Sequence, residues 1–130
     1  MQKLKLDHVA FPVSDLDASV AFYVEKLGLK LMFQQVDEEH GEAFAFLELE
    51  GGNLELLQSL KTPEAATPPA INDLFCPHVA IQVDDLSEWL SVLEEKEIAV
   101  AKGPLEIPGK VKWLYFADPD NNIIELVEWL

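Results

Sequence analysis

The chain contains an internal repeat with an offset of 70 residues, the separation of His8 and His78. The segment DHVAFPVSDL (residues 7–16) is matched by PHVAIQVDDL (residues 77–86), with the same His-Val-Ala and the same closing Asp-Leu. Carried further without a gap, the offset lays Phe46 on Phe116, Glu55 on Glu125 and Leu56 on Leu126. Because a fixed period indicates a repeated supersecondary unit, the sequence predicts one domain built from two similar modules.

Both halves show the same order of predicted elements. The first half has a strand at residues 4–13, a helix capped by Ser14 and closed by Gly28, and strands at residues 29–35, 43–49 and 53–57. The second has a strand at residues 78–83, a helix at 86–96, and strands at 99–101, 110–117 and 123–127. The predicted fold class is α+β, with two tandem βαβββ modules that form a curved, mostly antiparallel sheet around a cavity.

The module boundaries follow from composition. Residues 1–60 form the first module and residues 78–130 the second. Residues 61–77 are rich in Pro, Ala and Thr, which is typical of a linker and compatible with a flap over a site.

The charge of the chain excludes several partners. The formal net charge is -15, and the nine basic residues are all lysines. An average field of this sign repels nucleic acid and anionic membranes, and without arginine no guanidinium can grip a phosphate at two points. We therefore expect a small-molecule substrate, no nucleic acid and no membrane.

The sequence also predicts a cytoplasmic location. The N-terminus lacks the apolar region of a secretory signal, and no apolar stretch is long enough to span a membrane. The single cysteine, Cys76, excludes an internal disulfide bond and suits a reducing compartment. We interpret Cys76 as a buried free thiol, because no basic residue is arranged beside it.

Two histidines and two glutamates are the candidate site. His8 and His78 lie on the first strand of their modules, and side-chain alternation points them away from the apolar core face. Glu55 and Glu125 each interrupt an apolar strand, in Leu-Glu-Leu and Ile-Glu-Leu. Because a buried carboxylate needs a cation, and the chain has few basic residues, these four side chains predict a divalent metal site.

Other residues have weaker or alternative interpretations. His40 lies in the polar turn Glu-Glu-His-Gly and is interpreted as a surface residue. Four aromatic residues on strands could line a cavity for a small apolar ligand, although such residues are more often core: Phe44, Phe46, Trp113 and Tyr115. A protein that only shelters such a ligand therefore stays open as an alternative to an enzyme.

The sequence resembles the vicinal oxygen chelate superfamily, which includes glyoxalase I, methylmalonyl-CoA epimerase, extradiol dioxygenases and drug-resistance proteins. The resemblance covers almost the whole chain and rests on DHVAFPVSDLDASVAFYVEKLGLKL, FLELEGGNLELL, PHVAIQVDDL and YFADPDNNIIELVE. It implies paired βαβββ modules around a divalent metal, with nickel, cobalt, zinc or manganese as candidates. The implied ligands are His8, Glu55, His78 and Glu125.

The resemblance also implies an activity. Four protein ligands leave two positions of an octahedron, which suits an enediolate better than the catecholate and oxygen of a dioxygenase. By analogy with glyoxalase I, Glu125 or Glu55 removes a proton next to a carbonyl and the metal stabilises the enediolate. The methylmalonyl-CoA epimerase type ranks second.

Substrate contacts and assembly are expected only in outline. The candidate substrate-binding residues are Phe44, Phe46, Trp113, Tyr115 and Lys112. Few lysines are available to grip an anionic thiol such as glutathione or CoA. A homodimer is expected by analogy, with modules paired within one chain or exchanged between two.

Overall fold

The computed structural model describes residues 2–61 and 77–130, which belong to two compact units, one from each half of the repeat. Each unit is a four-stranded mixed sheet with one helical segment, so the α+β class and the tandem βαβββ modules are confirmed. The predicted linker and flap at residues 61–77 lies, apart from its two end residues, outside the described residues, as does Cys76.

The first unit has four strands and one helical segment. The helix α1 (Leu16–Ala21) continues directly into a π-helical turn (Phe22–Lys26). The strands are β1 (His8–Pro12), β2 (Lys30–Asp37), β3 (Glu42–Glu48) and β4 (Asn53–Ser59). Their order in the sheet is β1-β4-β3-β2, with β1 parallel to β4 and the other pairs antiparallel.

The second unit repeats this topology. It contains β5 (Val79–Gln82), α2 (Leu86–Glu95), β6 (Lys102–Ile107), β7 (Val111–Ala117) and β8 (Ile123–Trp129). Its strand order is β5-β8-β7-β6, and β5 runs parallel to β8. The first and last strands of each unit are therefore neighbours, which brings the predicted histidine strand beside the predicted glutamate strand.

Alternating burial separates the two faces of each sheet. In β4, Leu54 and Leu56 are buried, and α1 packs against β3 and β4. In β8, Ile124 and Leu126 are buried, and α2 contacts this strand. The glutamate between each pair therefore lies on the face opposite the helix.

Two details of the first strand and helix differ from the sequence prediction. Val9 was expected on the core face but is 38% exposed, and Phe11 is the residue of β1 that is buried. The N-cap of α1 is Asp15, not Ser14, and its carboxylate accepts from Ala18 N. An aspartate also caps the equivalent helix of the second unit, where the Asp85 carboxylate accepts hydrogen bonds from Ser87 N and Glu88 N.

Each helix start is also held by a side chain from the last strand. Leu16 N donates to Gln58 Oε1 at 2.8 Å, and Leu86 N donates to Glu128 Oε1 at 2.7 Å. These bonds satisfy N–H groups that a helix leaves without partners in its first turn. They fix the helix relative to the strand that carries the candidate glutamate.

The second strand of the second module is displaced from its predicted position. The sequence predicted a strand at residues 99–101, whereas β6 spans Lys102–Ile107. Gly103 and Pro104 are unfavourable inside a strand, but β6 ends the strand order of its sheet and a register irregularity lies between Lys102 and Leu105. At an edge strand with a bulge, the missing N–H of proline and the positive φ of Gly103 are tolerated.

The cap of α2 makes a pH-dependent contribution to stability. The hydrogen bond from Ser87 is the largest cause that holds the pKa of Asp85 below its ordinary value of 3.8. A carboxyl with a depressed pKa stabilises the fold above its unfolded pKa, and this contribution disappears as pH falls through the folded value. We therefore expect Asp85→Asn to flatten the loss of thermal stability below about pH 4, measured by circular dichroism against the exposed control Glu97→Gln.

No helix in residues 2–61 or 77–130 has the length and apolar character required to cross a membrane.

Candidate functional site

The first unit brings His8 and Glu55 together on the face opposite α1. In the sheet register Glu55 lies between Ala10 of β1 and Phe46 of β3. The distance from His8 Nε2 to Glu55 Oε1 is 3.5 Å. The Glu55 side chain is only 15% exposed, which makes an unpaired charge there costly.

The second unit repeats the pair with His78 and Glu125. Glu125 lies between Ala80 of β5 and Tyr115 of β7. The distance from His78 Nε2 to Glu125 Oε1 is 3.0 Å, and the Glu125 side chain is 16% exposed. Each module therefore presents one imidazole nitrogen and one carboxylate oxygen, side by side, on the same face.

The spacing of each pair fits two donors to one metal ion. Ligands about 2.1 Å from an ion lie about 3.0 Å apart in octahedral and about 3.4 Å apart in tetrahedral geometry. The observed separations are 3.5 Å for His8–Glu55 and 3.0 Å for His78–Glu125, the shorter of which is a direct hydrogen bond between the ring and the carboxylate. Within the described ranges, no group of three or more His, Cys, Asp or Glu residues forms a metal cluster, so the ligand types occur as pairs. The four-ligand metal site stays a prediction.

Aromatic residues surround the pair in the first unit. The His8 ring contacts Phe46 edge-on, with centroids 5.1 Å apart. Phe46 also stacks on Phe33 at 5.3 Å and meets Phe44 at 6.0 Å. Phe33 was not among the predicted site residues. The first unit thus has an apolar aromatic surface next to its candidate ligands.

The second unit places Tyr115 against its histidine. The rings of His78 and Tyr115 are 5.5 Å apart and edge-on. Burial, followed by the charge of Glu125, raises the pKa of Tyr115 above its ordinary value of 10.0. Tyr115 is therefore a neutral phenol at neutral pH, able to donate a hydrogen bond beside Glu125.

The register corrects the gap-free alignment of the two halves. Phe46 lies opposite Glu55, but Tyr115, not Phe116, lies opposite Glu125. The hairpin at residues 118–122 is one residue longer than that at residues 49–52, which changes the offset from 70 to 69. A one-residue change moves a side chain to the other face of a strand, and Phe116 is fully buried on the helix side. The true equivalents are Phe44 with Trp113, and Phe46 with Tyr115.

Lys112 lies away from the other predicted substrate-binding residues. It pairs with Glu128 in the sheet and lines a groove at the start of α2, beside Asp85 and Glu106. Residues 112 and 113 point to opposite faces of β7, so Lys112 does not share the face of Trp113 and Tyr115. Side-chain alternation along the predicted strand already separates residue 112 from residues 113 and 115.

His40 is an exposed residue of the turn between β2 and β3, in agreement with its interpretation from the sequence. Its Nδ1 lies 2.7 Å from Asp37 Oδ2, and this side-chain hydrogen bond lowers the pKa of Asp37. The contact is local to the turn and does not involve the His8–Glu55 pair.

Asp7 is a site residue that the sequence reasoning missed. Its Oδ2 lies 2.6 Å from His8 Nδ1, on the side of the ring away from Glu55. The repeat gave no signal, because Pro77 occupies the equivalent position. The only available sequence signal was a carboxylate directly before a candidate ligand.

Two βαβββ units, each with a histidine and a glutamate on the face opposite its helix, define the class of this protein. Residues 5–126 match the family model of the Glyoxalase/Bleomycin resistance protein/Dioxygenase superfamily. The chain belongs to this superfamily, as its sequence motifs indicated.

Individual relatives carry different functional names. Lactoylglutathione lyase of Schizosaccharomyces pombe is 35% identical over 98% of this chain and 48% of its own length. The chain thus spans about half of that relative. Metallothiol transferase FosB of Staphylococcus epidermidis is 30% identical over 97% of this chain and 82% of its own length. A glyoxalase family protein from Enterococcus faecalis has a similar structure, with a TM-score of 0.76, 31% identity, and coverage of 95% of this chain and 97% of that one.

Proposed function

We propose that this protein is a metal-dependent enzyme that transfers a proton at a carbon next to a carbonyl group, most like glyoxalase I. The observation that carries the proposal is the His–Glu pair in each unit, with Nε2 and Oε1 separated by 3.5 Å and 3.0 Å. A relative named lactoylglutathione lyase, 35% identical over nearly the whole chain, supports the reaction type.

The proposed ligands are His8, Glu55, His78 and Glu125. Two imidazole nitrogens and two carboxylate oxygens suit nickel, cobalt, zinc or manganese. Such an ion supplies Lewis-acid polarisation of the substrate carbonyl and stabilises negative charge on its oxygen. The low exposure of both glutamates supports this role, because a bound cation compensates their buried charge.

The residues of the chain would move the proton. One carboxylate, Glu55 or Glu125, accepts the proton as the C–H bond breaks and an O–H bond forms. The same group then returns it to the neighbouring carbon. Burial and the charge of Glu125 raise the pKa of Tyr115, so its hydroxyl stays neutral and would donate a hydrogen bond beside the Glu125 carboxylate. Phe44, Phe46 and Trp113 would cover the apolar part of the substrate and limit its contact with water.

Two further activities remain as second candidates. An epimerase acting on an acyl-CoA ester would use the same proton transfer with the same residues. A metal-dependent thiol transfer is favoured by the metallothiol transferase relative, of which the chain covers a larger share than it does of the lyase relative.

Isotope exchange tests the reaction class. Metal-loaded protein is incubated in D₂O with hemithioacetals of several thiols and with acyl-CoA esters, and deuterium at the α-carbon is followed by NMR. We expect incorporation with at least one hemithioacetal, and none with chelator-treated protein. Exchange only in an acyl-CoA ester would select the epimerase, and exchange in no compound would contradict proton transfer.

Metal binding should stabilise the folded chain. An ion present at 100 times its dissociation constant adds about 2.7 kcal/mol to the free energy of unfolding, because only the folded state holds the ligand set together. We expect Ni²⁺, Co²⁺, Zn²⁺ or Mn²⁺ to raise the melting temperature, measured by differential scanning calorimetry. The double variant His8→Ala/His78→Ala is the control, and an equal rise in that variant would show that the ions bind elsewhere.

A further inference from the structure

The two nitrogens of the His8 ring face different carboxylates. Nδ1 lies 2.6 Å from Asp7 Oδ2, whereas Nε2 lies 3.5 Å from Glu55 Oε1. An ionised carboxylate only accepts hydrogen bonds, so the short contact requires the proton on Nδ1. In the neutral ring, Nε2 then carries the lone pair and presents it on the side of Glu55.

The main chain of Asp7 is fixed to the strand that carries Glu55. Asn53 N donates to Asp7 O at 2.9 Å, and β1 continues from this point parallel to β4. Leu6, the residue before Asp7, lies against the turn that precedes Asn53, since a Cβ on Gly52 would lie 2.7 Å from Leu6 Cδ2. The Asp7–His8 contact therefore starts from a backbone whose position relative to Glu55 is set by the sheet.

The Asp7 side chain contributes little to folding. It is 88% exposed, and exposed ion pairs have small effects on stability because water screens them. A substitution at Asp7 can therefore change the state of the His8 ring without unfolding the first unit. This separation makes the role of Asp7 testable.

The residue before the second histidine is of a different type. Pro77 precedes His78 and offers no side-chain acceptor. The Asp-His dipeptide is therefore not part of the repeat.

We propose that Asp7 is a positioning residue for His8: it holds the Nδ1–H tautomer and the ring orientation that leave Nε2 free to bind a metal ion. The part of this inference that concerns the metal rests on the proposed function, whereas the tautomer does not. Removing such an outer partner of a metal-binding histidine typically weakens metal affinity by about 10- to 100-fold.

The first experiment uses the metal-free full chain. Long-range ¹H–¹⁵N correlation spectra near pH 8, above the ordinary range of imidazole titration, report the tautomer of each histidine. We expect the Nδ1–H form of His8 in the wild type, loss of this preference in Asp7→Ala, and partial retention in Asp7→Asn, which keeps an oxygen acceptor. An Nε2–H tautomer in the wild type, or no change in Asp7→Ala, would overturn the proposal.

The second experiment measures Co²⁺ affinity by isothermal titration calorimetry. We expect a 10- to 100-fold weaker dissociation constant for Asp7→Ala and no change for Glu50→Gln, which removes one exposed charge from the same unit. Equal affinity of Asp7→Ala and wild type would overturn the positioning role. If the wild type binds no Co²⁺, the proposed function fails, and the tautomer measurement still decides the role of Asp7.

Discussion

Replacing the proposed catalytic glutamate with glutamine should reduce solvent proton exchange by about 10²- to 10⁴-fold, the usual contribution of a positioned base. The variants are Glu55→Gln and Glu125→Gln, because each residue faces a histidine on the sheet surface and both have low exposure. Deuterium incorporation into the best substrate is measured after metal content has been confirmed. A variant that lacks the base should lose deuterium exchange even when it is fully loaded with metal. A variant that lacks only a metal ligand should instead bind the metal more weakly.

Glu48→Gln is the matched control for both variants. Glu48 ends β3 and its side chain is 56% exposed, in contact with Lys30 and not with a histidine. It should retain wild-type exchange. If Glu55→Gln and Glu125→Gln both exchange at the wild-type rate when fully loaded with metal, neither carboxylate is the base and the proposed mechanism is wrong.

The second large effect concerns the two faces of β7. Phe116→Ala should lower the free energy of unfolding by about 3–5 kcal/mol, because Phe116 is fully buried and its removal leaves a cavity. Its neighbour Tyr115 points to the opposite face and is partly exposed. We therefore expect Tyr115→Ala to cost no more than about 1–2 kcal/mol, mainly its ring contact with His78.

Urea unfolding followed by circular dichroism measures both variants. Tyr115→Phe, which keeps the ring, serves as the control and should unfold like the wild type. A loss for Tyr115→Ala as large as that for Phe116→Ala would contradict the register in which Tyr115, and not Phe116, lies opposite Glu125.

Side-chain alternation explains why much of the site was predictable from sequence. An acidic residue between two buried aliphatic residues must point away from the helix, so Glu55 and Glu125 were placed correctly by parity alone. The repeat then related each glutamate to a histidine strand. The parallel pairing of first and last strands, observed in both units, brings the two within 3.5 Å and 3.0 Å.

Features that depend on register or on single contacts were not predictable. The longer hairpin at residues 118–122 makes Tyr115, and not Phe116, the equivalent of Phe46. The 70-residue offset that holds for the other strands does not reveal this change. The edge position of β6 allowed Gly103 and Pro104 to lie inside a strand. Local hydrogen bonding decided that Asp15, and not Ser14, caps α1.

The central claim is that both His–Glu pairs bind the functional metal, and Co²⁺ titration tests it most directly. The visible absorption of bound Co²⁺ is recorded for the wild type and for His8→Ala and His78→Ala, one from each unit. His40→Ala is the control, because the His40 ring pairs with Asp37 in an exposed turn. We expect one Co²⁺ per pair of modules in the wild type, weaker Co²⁺ binding in both site variants and unchanged binding in the control. Binding that survives in either site variant, or that His40→Ala abolishes, would contradict it.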